Sequence, residues 1–123
     1  MEFVFAVTGA SAYVRGSLDL AFEHRGRTYF VDWKTDSLGS YARPALAAHV
    51  EAQYADQVHL YALATVKLLG IDARAEHDAR FGGLLYCFLR GFDERGTGLW
   101  SARPSWDEVA AWDEALARRW RAT

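Results

Sequence analysis

The sequence predicts a single α/β domain in which a mixed β-sheet is flanked by helices. Three observations support this. Aromatic and β-branched residues dominate short segments in the first 34 positions, which is typical of strands. The segment Leu46–Leu69 has apolar residues at i, i+3 and i+4, which is typical of an amphipathic helix. The continuous apolar run Phe81–Leu89 is typical of a strand that is buried on both faces.

Composition limits the class of protein further. The 123 residues suit one domain, residues 1–123, with one modest core. A hydrophobic fraction of 51% and an aromatic fraction of 15% exclude a disordered segment. The formal net charge of -2 is unusual for a free-standing DNA-binding domain, which is more often basic. Cys87 is the lone cysteine, and no apolar run reaches the roughly 20 residues of a membrane span, so we expect a cytoplasmic protein.

The predicted element order is βββ-α-β, followed by a short hairpin return and a final helix. Gly9–Ser11 is expected to form a turn, and Gly26 a tight hairpin between the second and third strands. Gly70 is a plausible end for the long helix. The expected elements are strands at Glu2–Thr8, Tyr13–Phe22 and Thr28–Trp33, a helix at Leu46–Leu69, a strand at Phe81–Leu89, a short strand at Leu99–Ala102, and a helix opened by a capping box of Ser105 and Glu108.

The predicted hairpin places two aspartates side by side. If Arg25 and Gly26 are the central turn residues, Asp19 falls directly opposite Asp32. By the same register, Ser17 would fall opposite Lys34. Directly opposed residues of an antiparallel pair share one face, with Cβ atoms about 4.5–5.5 Å apart.

Two carboxylates in this position repel each other unless a cation lies between them. Divalent cations prefer carboxylate oxygens, and Lys34 shares the face of Asp32, where it can neutralise a phosphate oxygen. These groups are what a metal-assisted phosphodiester hydrolase needs. Without metal, removal of one carboxylate should relieve repulsion. The pattern Asp-x-Lys is also common by chance. Each aspartate could therefore instead be an ordinary solvated residue of a strand.

Four segments in order resemble the RecB-type PD-(D/E)xK nucleases. Gly16–Leu20 is similar to the G-x-h-D motif, Val31–Lys34 to D-x-K, and Gln57–Tyr61 to Q-x-x-x-Y. Phe81–Gly91 is similar to the strand that follows in this family. The resemblance covers about Tyr13–Leu116, and it identifies the chain as a member of the nuclease domains found in β subunits of exodeoxyribonuclease V, the RecBCD helicase–nuclease.

The resemblance implies a role for each motif residue. Asp19, Asp32 and the backbone carbonyl of Trp33 would hold Mg²⁺, with Mn²⁺ or Ca²⁺ as possible substitutes. Asp19, Asp32 and Lys34 would form the catalytic set. Gln57 and Tyr61 would support the site and the nucleic-acid path, although a packed amphipathic helix explains these two equally well. The implied partners are DNA, single-stranded especially, together with helicase domains and other subunits of a RecBCD-type complex acting in DNA repair and recombination.

The family also has a His or Glu ligand on a helix before the first strand, and helicase domains. Neither is recognised here, because none of the four histidines matches that position and no G-x-x-x-x-G-K-[ST] motif occurs. We therefore expect a domain truncated on its N-terminal side, which by itself binds metal weakly and cuts DNA poorly.

Two other functions remain open. One is a nuclease fold that does not cut and serves as a DNA-binding or subunit-docking module. The other is a related AddA-type or phage-type exonuclease. The intact set of Asp19, Asp32 and Lys34 favours cleavage, and the Phe81–Gly91 strand favours the RecB type.

Overall fold

The computed structural model describes residues 1–9 and 12–121, with the side chain of residue 121 left out. The part of the chain that it describes forms six strands and four helices. They are β1 (Glu2–Ala6), β2 (Tyr13–Ser17), β3 (Leu20–His24), β4 (Arg27–Lys34), α1 (Arg43–Gln53), α2 (Ala55–Leu68), α3 (Arg74–Arg80), β5 (Phe81–Phe88), β6 (Leu99–Ala102) and α4 (Trp106–Arg121).

The main sheet has four strands in the order β3-β4-β5-β6. Strand β4 runs parallel to β5, while the β3–β4 and β5–β6 pairs are antiparallel. The three helices α1, α2 and α3 make the crossover between the two parallel strands, as a parallel connection requires. The predicted mixed sheet flanked by helices is therefore confirmed.

The predicted strand Tyr13–Phe22 is two strands that belong to different sheets. Strand β2 pairs with β1, so that Ser17 lies opposite Glu2, and the expected pairing of Ser17 with Lys34 is wrong. The chain changes partner at Leu18, whose N–H donates to the Met1 carbonyl, whereas the next N–H, of Asp19, donates to Val31. The buried Leu18 side chain anchors this change of partner in the core.

The long predicted helix is interrupted at Tyr54, where φ is -128° and ψ is 9°, so α1 and α2 are separate helices. Neither Gly nor Pro lies at the interruption, which is why the periodicity of the sequence does not reveal it. Gly70 follows α2 with a φ of 70°, as predicted for a helix end. The helix α3 was not predicted, because its seven mostly polar residues bury only His77.

The predicted capping box agrees with the structure, whereas the strand predicted for Glu2–Thr8 ends at Ala6. The N–H of Glu108 donates to the Ser105 hydroxyl and the N–H of Ser105 donates to the Glu108 carboxylate, which is the predicted capping box. Thr8 and Gly9 lie in a turn, while Ala10 and Ser11 of the predicted turn lie outside the described residues. No helix in the described part of the chain is long and apolar enough to cross a membrane.

The hydrophobic core lies between the main sheet and the helices α1 and α2, while helix α4 packs against α2 and α3. Strand β1 adds Phe3 and Phe5 to the core. Gly16 of β2 packs against this layer, because a Cβ atom there would lie 2.5 Å from the Phe3 ring. Phe3 in turn meets the ring of Tyr61 edge to face, with the ring centroids 5.3 Å apart. The Gly16 of the predicted motif therefore serves packing.

Candidate active site

The β3–β4 hairpin has the register that the sequence predicts. Arg25 and Gly26 occupy the turn with positive φ values of 52° and 80°, as a two-residue turn with a right-handed twist requires. Leu20 pairs with Val31, and the ladder ends at this pair. Asp19 lies in a bend, and its N–H donates to the Val31 carbonyl at 3.1 Å. Asp19 therefore lies outside the ladder, where the predicted direct pairing with Asp32 does not extend, although its side chain reaches the Asp32 carboxyl group at the end of the hairpin.

The exposed Asp19 carboxylate is held by the backbone of the neighbouring strand. Its Oδ2 accepts a hydrogen bond from the Trp33 N–H at 2.8 Å. This bond is the main reason why the pKa of Asp19 lies below its usual value, and a hydrogen bond with Asp32 adds to the effect. Asp19 is therefore a charged carboxylate at neutral pH with a fixed orientation.

Asp32 has the opposite environment. Burial raises its pKa, the Lys34 ammonium opposes that rise, and the neighbouring Asp19 adds to it. The two carboxyl groups lie within hydrogen-bonding reach of each other, so the juxtaposition predicted from the hairpin is present. When both carboxyl groups are ionised their negative charges repel each other, and a cation bound between them would offset that repulsion.

Lys34 is a buried cation, with a side chain only 8% exposed. Its Nζ lies 2.7 Å from Asp32 Oδ2 and donates to Gln57 Oε1 at 2.8 Å. Because β4 side chains alternate, Lys34 and Asp32 share the sheet face that α2 covers. The expected neighbourhood of Asp19, Asp32 and Lys34 is thus one continuous cluster.

Helix α2 supplies the other polar groups. Gln57 Oε1 also accepts from the Tyr86 hydroxyl at 2.7 Å, and Gln57 Nε2 donates to the Tyr61 hydroxyl at 3.5 Å. Burial and the two aspartates raise the pKa of Tyr61, so its hydroxyl stays protonated. Sequence reasoning missed Tyr86, although it is the one hydroxyl-bearing side chain in the apolar run of β5.

The oxygen atoms of this cluster fit a hard divalent cation. Asp19 and Asp32 offer carboxylates, and the Trp33 carbonyl faces the same edge, because its N–H already points to Asp19 and both groups of a strand residue point to one side. Mg²⁺ takes such oxygen ligands and completes its shell with water. Within residues 1–9 and 12–121, however, no group of three or more His, Cys, Asp or Glu side chains is placed to hold a metal.

The four histidines lie elsewhere, as the sequence suggested. His24 ends the hairpin strand, His49 pairs with Asp36, and His59 stacks on Trp112 with the ring centroids 4.0 Å apart. His77 is buried and contacts the Pro104 carbonyl at 2.9 Å through Nε2. None of them faces the two aspartates in the described part of the chain.

The fold and this site define a class. The family model of the PD-(D/E)XK nuclease superfamily matches residues 1–123, and the chain belongs to this superfamily.

Within it, the chain is similar to a particular group of proteins named RecBCD enzyme subunit RecB. It is 37% identical to the protein of Escherichia coli over 112 residues, which cover 85% of this chain and 10% of the relative. The Haemophilus influenzae protein is 36% identical over 107 residues, covering 81% of this chain and 9% of the relative. The Borreliella burgdorferi protein is 32% identical over 90 residues, covering 69% of this chain and 8% of the relative. The chain thus spans about a tenth of these relatives.

Proposed function

We propose that residues 1–123 form a metal-dependent DNA nuclease domain of a RecBCD-type helicase–nuclease. The observation that carries the proposal is the continuous cluster of Asp19, Asp32, Lys34 and Gln57, in a chain of the PD-(D/E)XK superfamily. By the similarity to RecB subunits, its partners would be DNA, helicase domains and further subunits, and its role would lie in break repair and recombination.

Asp19, Asp32 and the Trp33 carbonyl would hold Mg²⁺, with Mn²⁺ or Ca²⁺ as substitutes. The bound ion would activate a water molecule and stabilise the charge that develops on the phosphate. Asp19 would enter this role already charged and oriented by the Trp33 N–H. Asp32 would link the cation to Lys34, because its carboxylate touches the ammonium.

Lys34 would place a positive charge beside the reacting phosphate. A buried ammonium acts in surroundings with little water, where electrostatic stabilisation is stronger than at an exposed surface. Gln57 would keep that ammonium in place by accepting one of its three N–H bonds. Tyr61 and Tyr86, through their hydroxyls, would hold Gln57 itself.

The proposal is tested with labelled single-stranded DNA and the purified chain, in millimolar Mg²⁺ or in chelator. We expect weak Mn²⁺ binding, measured by titration calorimetry, that Asp32→Asn weakens further, and slow metal-dependent cleavage that the same variant abolishes. Asp72→Asn is the matched control, because Asp72 is an exposed aspartate outside the cluster. DNA binding without metal binding or cleavage would favour the non-cleaving module.

A further inference from the structure

The surroundings of Lys34 contain more than its two hydrogen-bonding partners. Its Nζ lies 4.0 Å from the centroid of the Tyr54 ring and 4.6 Å from that of the Tyr86 ring. The two rings meet edge to face, 5.8 Å apart. A desolvated ammonium is attracted to aromatic faces at these distances. Two acceptors and two rings therefore limit the positions that the Lys34 ammonium can take.

Tyr54 is fixed from two directions. It is the residue at which α1 ends and α2 begins, and its side chain hydroxyl donates to Asp36 Oδ2 at 2.7 Å. Burial, together with this bond, raises the pKa of Tyr54 to about 12, so that the hydroxyl remains a donor at neutral pH. Its ring is thus tied to the loop that follows β4.

Asp36 is in turn held by His49 of α1. The His49 Nε2 atom lies 2.7 Å from the same Asp36 Oδ2, and the His49 ring packs edge on against Tyr54 and Phe88. Burial acts to raise the pKa of Asp36, but the bonds from His49 and Tyr54 outweigh it and the pKa is lowered. A charged carboxylate therefore accepts both bonds.

We propose that Tyr54 is a positioning residue for Lys34, and that Asp36 and His49 fix the ring of Tyr54 against the lysine ammonium. The proposal rests on the proposed function in that Lys34 is taken as the group that meets the phosphate. It adds a chain of contacts from His49 through Asp36 and Tyr54 to Lys34, outside the motif residues. An error of about 1 Å in a reacting group can cost roughly 100-fold in rate, so this support has a measurable consequence.

Nuclear magnetic resonance can test the positioning without any activity. Lys34 and Lys67 are the two lysines of the sequence, so a protein labelled with ¹³C-lysine gives two side-chain Cε–Hε signals. The rings near Lys34 should shift its signal upfield. We expect Tyr54→Leu to move that signal back toward the value of free lysine, and Tyr54→Phe, which keeps the ring, to move it less. Phe5→Leu is the matched control, because the Phe5 ring lies 5.7 Å from Lys67 and should affect that signal alone.

Cleavage kinetics test the consequence. We expect Tyr54→Leu to lower kcat about 10- to 100-fold with KM changed less than threefold, and Asp36→Ala to lower it by a smaller factor. In the double variant the two effects should not add, because both act through the Tyr54 ring. Urea unfolding of each variant corrects for the unfolded fraction.

The outcomes separate the two proposals. An unmoved Lys34 signal in Tyr54→Leu overturns the positioning role, and so does a kcat within twofold of the unsubstituted chain. If the signal moves as expected but the unsubstituted chain neither binds Mn²⁺ nor cuts DNA, the positioning of Lys34 stands and the nuclease proposal fails.

Discussion

Asp32→Ala should destabilise the metal-free domain, although repulsion between two carboxylates suggests the opposite sign. The substitution leaves the buried Lys34 ammonium, 8% exposed, without its ion-pair partner at 2.7 Å. Breaking a buried pair by removing one partner costs about 3–5 kcal/mol. We place the loss at about 2–3 kcal/mol, because Gln57 still accepts from Lys34 and the repulsion from Asp19 disappears.

The assay is thermal and urea unfolding in chelator. For a domain of this size a loss of that magnitude lowers Tm by roughly 6–15 °C. Asp19→Ala is the matched variant: it removes an exposed carboxylate and one hydrogen bond to the Trp33 N–H, and should cost about 1 kcal/mol or less. Lys34→Met and the double variant with Asp32→Ala complete the cycle, in which the two losses should sum to more than the loss of the double variant.

One result would refute this reasoning. If Asp32→Ala melts at or above the temperature of the unsubstituted chain in chelator, the Lys34–Asp32 pair does not hold the ammonium, and carboxylate repulsion dominates the metal-free site. A larger loss for Asp19→Ala than for Asp32→Ala would contradict the contrast between the exposed and the buried carboxylate.

Two further predictions concern the support around the site. The pKa of Asp36 is lowered on folding, so its contribution to stability is complete above the ordinary value of about 3.9 and is lost as the pH falls through the lower, folded value. Asp36→Asn should therefore flatten the loss of stability below about pH 4, measured by urea unfolding across pH; a parallel loss in both proteins would contradict it. Gly16→Ala should cost about 1–3 kcal/mol, because the added Cβ would lie 2.5 Å from the buried Phe3 ring. Gly39→Ala, where the Cβ meets open space, is its control, and equal urea midpoints for the two variants would count against the packing role.

Local patterns predicted those parts of the molecule that depend on neighbours in sequence. The turn at Arg25 and Gly26 set the hairpin register and therefore the approach of Asp19 to Asp32. The four-residue spacing of Gln57 and Tyr61 placed both on one face of α2. Motif order also identified the superfamily, which the match over residues 1–123 confirms. The roles assigned to the site residues remain predictions.

Contacts between distant segments decided the rest. Alternating strand residues do not show that the chain changes sheets at Leu18, because that change depends on hydrogen bonds to Met1 and Val31. Helical periodicity does not show the interruption at Tyr54, because neither Gly nor Pro marks it in the sequence. The hydrogen bond from the Tyr54 hydroxyl to Asp36 is seen only in the folded chain.

The surroundings of Lys34 also depend on contacts between distant segments. From its sequence spacing, Lys34 shares a face with Asp32, and no more follows. Its burial, its ion pair and its two aromatic neighbours are contributed by β4, α2, β5 and the helix interruption, which only the packed chain brings together. The sequence therefore determined which residues could form the site. The tertiary structure decided that the Lys34 ammonium is buried, paired with Asp32 and held by Gln57.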